Sequence, residues 1–400
     1  MQDFVNLFMD YTKEYESPSS FWRWSAYTAI AAMLRFNVYY PHGLGRVYPN
    51  IYTILLAESA EYRKDAGPKL VKELLKTVNH TRILEGRGSF QAIVNDLSQE
   101  VPHKNGVPIR GGGAIIIAPE LAAFFVEDKQ LIPNITNWYE FDPEYKESLK
   151  GSGTITVKNR CITMLAASNE TYLREVYDDR AIYGGLLRRT FMIKPDETRP
   201  PLSFMYPGMT SDEMIKMLTS KYDTKLLIDS LNEVKKLNGI ITRTDDAANY
   251  YHSWYNELYK KYKTHPDKTG VLQSLHTSAL KLAIIIAASN YTTEISKQII
   301  EEAIVQVSAL KGNYETYIMS AAKSDHAEIA TTILIELWNA PNYRMSRKAI
   351  LFKYWNIITA EQMDTIIATF EQGGLIQQAP ENNEVGYKLT QKCVDKFNKK

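Results

Sequence analysis

Apolar positions along the chain follow two regimes. Phe4, Leu7 and Phe8 share one helical face in residues 2–40, and Ser17-Pro18-Ser19-Ser20 opens a second helix, Phe21 to Leu34. Phe36 to Tyr40 reads as a strand and Pro41 to Gly45 as a turn. From about 46 to 200, strands and helices alternate. Ala114 to Ala118 is an unbroken apolar run, and Ile51 to Leu56 and Cys161 to Ala167 are apolar but for one Thr each, as expected of strands buried on both faces. Between them come a helix with Leu70, Val71, Leu74 and Leu75 on one side, a short strand Thr81 to Glu85, and helices Ser89 to Gln99 and Leu121 to Phe125. Thr154 to Lys158 alternates like a hairpin strand, and Arg189 to Ile193 is the last strand. This order predicts an α/β fold with a parallel sheet covered on both faces.

Beyond Pro195, Pro200, Pro201 and Pro207 the pattern turns helical: Asp212 to Ser220, Lys225 to Leu237, Asp245 to Tyr262, Val271 to Ala288 and Ile295 to Ile318. From Asp325 three helices precede Gly373-Gly374-Leu375-Ile376-Gln377-Gln378 and Gly386 to Leu389, the order of a winged helix. Four segments are therefore expected: a helical segment packed on the core (1–45), the α/β core (46–200), an all-helical lid (201–324) and the winged helix (325–400).

Composition narrows the function classes. Across 400 residues the net charge is +1, which gives no bulk attraction to nucleic acid or membrane. Cys161 and Cys393 lie far apart and form no metal or redox motif, which fits a reducing cytoplasm. No signal segment opens the chain, and the apolar run Leu282 to Ala288 is too short to span a bilayer. The expected location is cytoplasmic, in the host cytoplasm for a viral protein.

Candidate chemistry begins between the first buried strand and its helix. In YPNIYTILLAESAEYRKDAGPKLVKELL, a strand, a loop of small and polar residues and a helix opening on Lys64 have the layout of a phosphate-binding loop. There, loop amides and a helix N-terminus face an anion, and the lysine reaches the outer phosphates. Ser59, Ala60, Arg63, Lys64, Asp65 and Ala66 are the candidate nucleotide contacts. Arg63 stands where the second glycine of a Walker A loop would be. Asp65 replaces the hydroxyl and is the candidate Mg²⁺ ligand. An ordinary strand-to-helix connection with solvated charges would look the same. Ile115 to Glu120 ends a strand on an acid that can activate water, with Pro119 in the place of a metal-binding Asp; alternatively Glu120 simply starts a helix. Asn169 follows another buried strand and can orient water or cap a helix. Gly184 to Phe191 places Arg188 and Arg189 before the last strand, as a finger for a neighbouring subunit or a surface pair. Tyr145 to Lys158 forms a hairpin in which Lys146, Lys150, Ser152 and Lys158 are candidate nucleic-acid contacts.

In this order, ILLAESAEYRKDAGPKLVKEL, AIIIAPEL, ITVKNRCITMLAASNE and LLRRTF resemble the AAA+ P-loop ATPases. More narrowly, they resemble mini-chromosome-maintenance-like replicative helicases of phages and mobile elements. The resemblance implies catalytic roles for Glu120, Asn169 and Arg189, and it puts Lys281 of LHTSALKLAIIIA at a further nucleotide contact. It also implies ATP and Mg²⁺ as cofactors, single-stranded DNA as partner, a homo-hexameric ring, and contacts with other replication proteins. The function so implied is an ATP-dependent DNA helicase or translocase. A catalytically weakened relative acting as helicase loader or initiation scaffold is the alternative, and a transcriptional regulator dominated by the winged helix is a third. In the winged helix, Arg347, Lys348 and Lys353 are the visible cations.

Overall fold

In a computed structural model the described residues are 2–58, 61–86, 89–99, 111–125, 131–149, 153–176, 184–200, 208–221, 223–264, 267, 269–314, 325–380 and 384–397. They fall into two compact units, residues 1–315 and 316–400.

The first unit is α/β. Its central sheet contains β3 (Tyr52–Leu56), β4 (Arg82–Leu84), β5 (Gly113–Ala118), β7 (Gly153–Ser168) and β8 (Thr190–Ile193) in the spatial order β4-β5-β7-β3-β8, every neighbouring pair parallel. β3 is buried at every position because strands flank it and helices cover it. From β3 the chain runs through α3 (Ala66–Val78) to β4 on one side, and from β7 it runs through α7 (Glu170–Val176) to β8 on the other. Crossovers that leave in opposite directions, right-handed by the general rule, belong on opposite faces, and in such sheets the strand ends at this switch point, here the C-terminal ends of β3 and β7, flank the ligand crevice.

Residues 1–45 are part of this core. α1 (Phe4–Thr12) packs on α2 (Ser19–Leu34), and α2 buries thirteen of its sixteen residues against β3, β5, β7, β8 and α3. Gly67 lets α3 approach: a Cβ there would stand 2.3 Å from Ser25 Oγ. β1 (Val38–His42) turns into β2 (Gly45–Val47). β1 also pairs in parallel with β9 (Gly239–Ile240), so the segment expected as a lid is tied to the core. That segment contributes α8 (Ser211–Lys221), α9 (Lys225–Val234), β10 (Thr242–Arg243), α10 (Asp245–Thr264), α11 (Val271–Ser289), β11 (Glu294–Ile295) and α12 (Lys297–Ala309). Its three short strands were not expected, because a strand of two residues is too short to show a period of two. α11 has the length and apolar character of a membrane span, but most of it is buried within this unit.

β6 (Asp142–Leu149) and the first half of β7 form an antiparallel hairpin that extends past the N-terminal edge of the sheet, since β7 has parallel neighbours only from Cys161 onward. The remaining described helices of this unit, α4 (Phe90–Ser98), α5 (Leu121–Phe125) and α6 (Leu131–Trp138), all touch β7.

The second unit contains α13 (Asp325–Asn339), β12 (Arg344–Ser346), α14 (Arg347–Tyr354), α15 (Ala360–Gln372), β13 (Ile376–Gln378), β14 (Gly386–Leu389) and α16 (Gln391–Phe397). The strands form an antiparallel sheet in the order β12-β14-β13. Its core includes Ile333, Leu337, Ile350, Met363, Ile366, Phe370, Ile376 and Leu389. Thr359 and Gln362 close a capping box at the start of α15, fixing where that helix begins.

Candidate functional site

Three neighbouring strands end together. Register pairs Leu56 of β3 with Ser168 of β7, and Ala118 of β5 with Ala166 of β7. The residues just past these ends are the Lys64 loop, Asn169 and Glu120, so the structure brings Lys64, Asp65, Glu120 and Asn169 to one edge, at the crevice. Ser59 and Ala60 lie outside the described residues.

Lys64 is buried, and its Nζ donates to the carbonyls of Ala57 (2.9 Å) and Glu58 (3.3 Å). The loop thus curls around its own ammonium. Tyr62 (φ 58°) and Arg63 (φ 45°) are both left-handed, a conformation that L-residues adopt only at a cost and that the glycines of a phosphate loop adopt freely. The chain keeps the turn without the glycines because outside contacts hold it. Ser17 Oγ donates to Arg63 O (3.0 Å), and Glu16 pairs with the Arg63 guanidinium (2.7 Å). Strain held in place this way is typical of functional loops.

Asp65 begins α3 without capping it and instead pairs with Lys69, one turn on. Burial alone would raise the Asp65 carboxyl, but the Lys69 ammonium outweighs it and the net direction is down. Glu120 is exposed just past β5. Asn169 is buried, and its Oδ1 accepts from Tyr172 N (2.8 Å), so its side-chain oxygen caps α7. Beside it, Lys194 pairs with Glu170 at 2.6 Å. At the start of α2, Asp196 accepts from Ser20 N (3.0 Å) and Glu197 from Ser19 N (3.1 Å), two carboxylates on a helix N-terminus.

Arg189 and Lys281 lie elsewhere. Lys281, on α11, donates to Tyr48 O (3.0 Å), Asn50 O (2.9 Å) and Asn50 Oδ1 (2.8 Å), and lies 4.3 Å from the centre of the Tyr139 ring. Asn50 and Ala57 are separated by seven residues of nearly extended chain, roughly 23 Å at strand spacing. Lys281 is therefore a buried fastener between α11 and the N-terminal edge of the sheet. The reading of it as a nucleotide contact is corrected on that ground. Arg189, next to the start of β8, is also at that edge. It donates to Gly185 O (3.0 Å) and lies 3.8 Å from Glu140, with burial lowering its guanidinium. The exposed member of the pair is Arg188. Gly185 (φ 96°) makes room for both, since a Cβ there would be 2.7 Å from Arg189 Nη1 and 2.9 Å from Arg188 Nε.

On the hairpin, Tyr145 and Val157 are buried, the Tyr145 ring edge-on to Trp138. The opposite face exposes Glu144, Lys146 and Lys158. Glu144 pairs with Lys146 at 3.4 Å and stands across the hairpin from Lys158. Lys150 and Ser152 lie outside the described residues. In the second unit, Arg347 is held by both oxygens of Asp364 (3.0 and 2.8 Å) and Lys353 by Glu336 (2.6 Å).

Sequence reasoning missed Asn50, Tyr139 and Glu140, which surround Lys281, and Ser17 and Glu16, which support the loop. Asn50 ahead of an apolar strand was the visible signal: its Nδ2 donates to Tyr139 O (2.7 Å) and Ile162 O (3.1 Å). No group of three or more metal-binding side chains occurs among the described residues. Set against known protein families and curated proteins, the sequence matches no family and no curated protein.

Proposed function

We propose that the crevice at the C-terminal ends of β3, β5 and β7 binds a nucleoside triphosphate, and that the chain is an ATP-driven, ring-forming DNA translocase of phage or mobile-element replication. One observation carries this reading: a left-handed loop closes around the Lys64 ammonium at the junction of a central strand and a helix, with Glu120 and Asn169 at the next two strand ends. An arriving phosphate would take the Lys64 ammonium from the carbonyls of Ala57 and Glu58. Glu120 would accept a proton from water, and the Asn169 amide group would orient that water. Bound Mg²⁺ supplies charge neutralisation at the phosphates. Asp65 could hold it only after releasing Lys69, so the position is a poor fit for the ion. The finger offered to a neighbouring copy would be Arg188, because Arg189 is turned inward. Single-stranded DNA would run along the exposed face of the hairpin, where copies around a ring multiply a weak basic patch. The second unit reads as a winged helix.

A second reading has its own support. Asp65 is engaged by Lys69, Pro119 stands in place of an acid, and Asn169 is committed to a cap. These favour a chain that binds nucleotide but turns it over slowly or not at all, as a loader or initiation scaffold would.

Binding of a fluorescent ATP analogue and steady-state turnover, with and without single-stranded DNA, test both readings. Lys64→Ala is expected to weaken nucleotide binding about ten-fold or more, and Glu120→Gln to bind normally without turnover. Unchanged binding in Lys64→Ala refutes the nucleotide site. Nucleotide and DNA binding without turnover in the unaltered chain selects the scaffold.

A further inference from the structure

The second unit carries a groove that its own core does not use. α14 turns Ile350 and Tyr354 inward, while Phe352 on it and Trp355 at its C-terminal cap, three residues apart, are 82% and 75% exposed. Val385, just before β14, is 53% exposed. With Arg347, Lys348, Leu351 and Glu384 these side chains line an open groove of about 710 Å³. That much apolar surface, aromatic and gathered in one place, marks a docking site.

Charge decides what docks there. A nucleic acid would need free cations, yet Arg347 is held by both oxygens of Asp364 and Lys353 is paired with Glu336. Glu384 adds a carboxylate to the rim. The neighbouring helix α15 exposes Glu361 and Asp364 and has no Lys or Arg. Arg347 and Lys348 are thus balanced by Asp364 and Glu384, and a groove without net positive charge is a weak site for phosphate. Lys348, in the first turn of α14, is the groove cation without a carboxylate partner among the described residues. The complementary occupant has apolar side chains for Phe352, Trp355 and Val385 and one acidic side chain for Lys348.

We propose that this groove takes an amphipathic helix of a partner protein, with apolar anchors three or four residues apart and a carboxylate facing Lys348. A helix presents side chains at that spacing on one face, and an open groove receives them. Phe352 and Trp355 supply most of the contact.

The test uses the full chain and a displayed library of amphipathic helical peptides with randomised apolar positions. Selected peptides are expected to converge on large apolar residues at i and i+3 or i+4 with an acidic residue nearby. Phe352→Ser and Trp355→Ser should each weaken them about ten-fold or more. Lys348→Glu should weaken them too and be rescued by replacing the peptide's acid with lysine. Leu226→Ser, an exposed apolar position in the first unit, should change nothing. All three groove positions are on the surface, and circular dichroism checks that each variant folds. The proposal is overturned if no peptide is selected, or if selected peptides bind the Phe352→Ser, Trp355→Ser double variant as well as the parent. It is also overturned if oligothymidylate occupies the groove with an affinity that falls in Trp355→Ser, or if the double variant abolishes self-association, which would make the occupant a second copy.

Discussion

Replacing Lys281 by Met separates a structural lysine from a nucleotide-sensing one. Met keeps the stem and removes the ammonium, leaving three oxygens of Tyr48 and Asn50 without their donor. An acceptor stranded in a buried site costs roughly 1–3 kcal/mol. Against this, the folded chain bears the burden of a buried charge: burial pulls the Lys281 amine down from 10.5 to about 8, with Glu140 partly opposing it. That difference corresponds to about 3 kcal/mol. A base with a lowered folded-state pKa is protonated in both states at pH 7, where the burden is fully felt. Between pH 8 and 10.5 the unfolded chain holds the proton and the folded chain does not, so stability from this group rises with pH. From pH 7 to 9.5 the gain is roughly 2 kcal/mol. Lys281→Met lacks it. Urea denaturation of both proteins at the two pH values should show the variant less stable, with the gap widening by about 2 kcal/mol at the higher pH. Other titrating groups cancel in the difference. A gap that stays constant or narrows refutes the buried-charge account. A variant with intact stability and lost nucleotide affinity would return Lys281 to the nucleotide site.

Three further outcomes are expected. Asn169→Ala removes the α7 cap and should lower stability by about 1 kcal/mol, whereas Asn169→Asp keeps the cap and that stability. If the amide orients water, turnover falls in both variants; full turnover in Asn169→Asp would reduce Asn169 to a cap. Glu144→Gln uncovers Lys146 and Lys158 and should tighten single-stranded DNA binding and steepen its salt dependence; an unchanged salt slope argues that the hairpin does not meet phosphate. Gly185→Ala forces a side chain into a left-handed position against both arginines, so it should lower the thermal midpoint. An unchanged midpoint would mean the arginines move aside freely.

The parallel sheet was readable because Ile51 to Leu56, Ala114 to Ala118 and Cys161 to Ala167 are apolar with no polar residue larger than Thr, the pattern that burial on both faces leaves. The Lys64 loop was readable as a junction, but its left-handed turn was not. No glycine announces it, and its supports, Glu16 and Ser17, come from a distant part of the sequence. Lys281 was misplaced for a similar reason: a lysine within an apolar helix signals a buried partner without naming it, and here the partners are backbone oxygens more than 230 positions earlier. The integration of 208–314 with the core rests on one strand pair two residues long, β1 with β9, and on α9 and α11 packing against α2, and periodicity reveals neither partner. Arg188 and Arg189 could not be told apart in sequence, since neighbours on a tight turn point in different directions.

Arg199 fastens the end of α1 by donating to the carbonyls of Thr12, Lys13 and Tyr15, and it pairs with Glu197, which in turn holds Ser19. Within the same short stretch, Glu16 and Ser17 grip the loop at Arg63. One knot of about eight residues therefore fastens both the loop that precedes α3 and the strap that follows β8. Any displacement of that loop tugs on the point where the chain leaves the sheet, with no hinge or lid required between them.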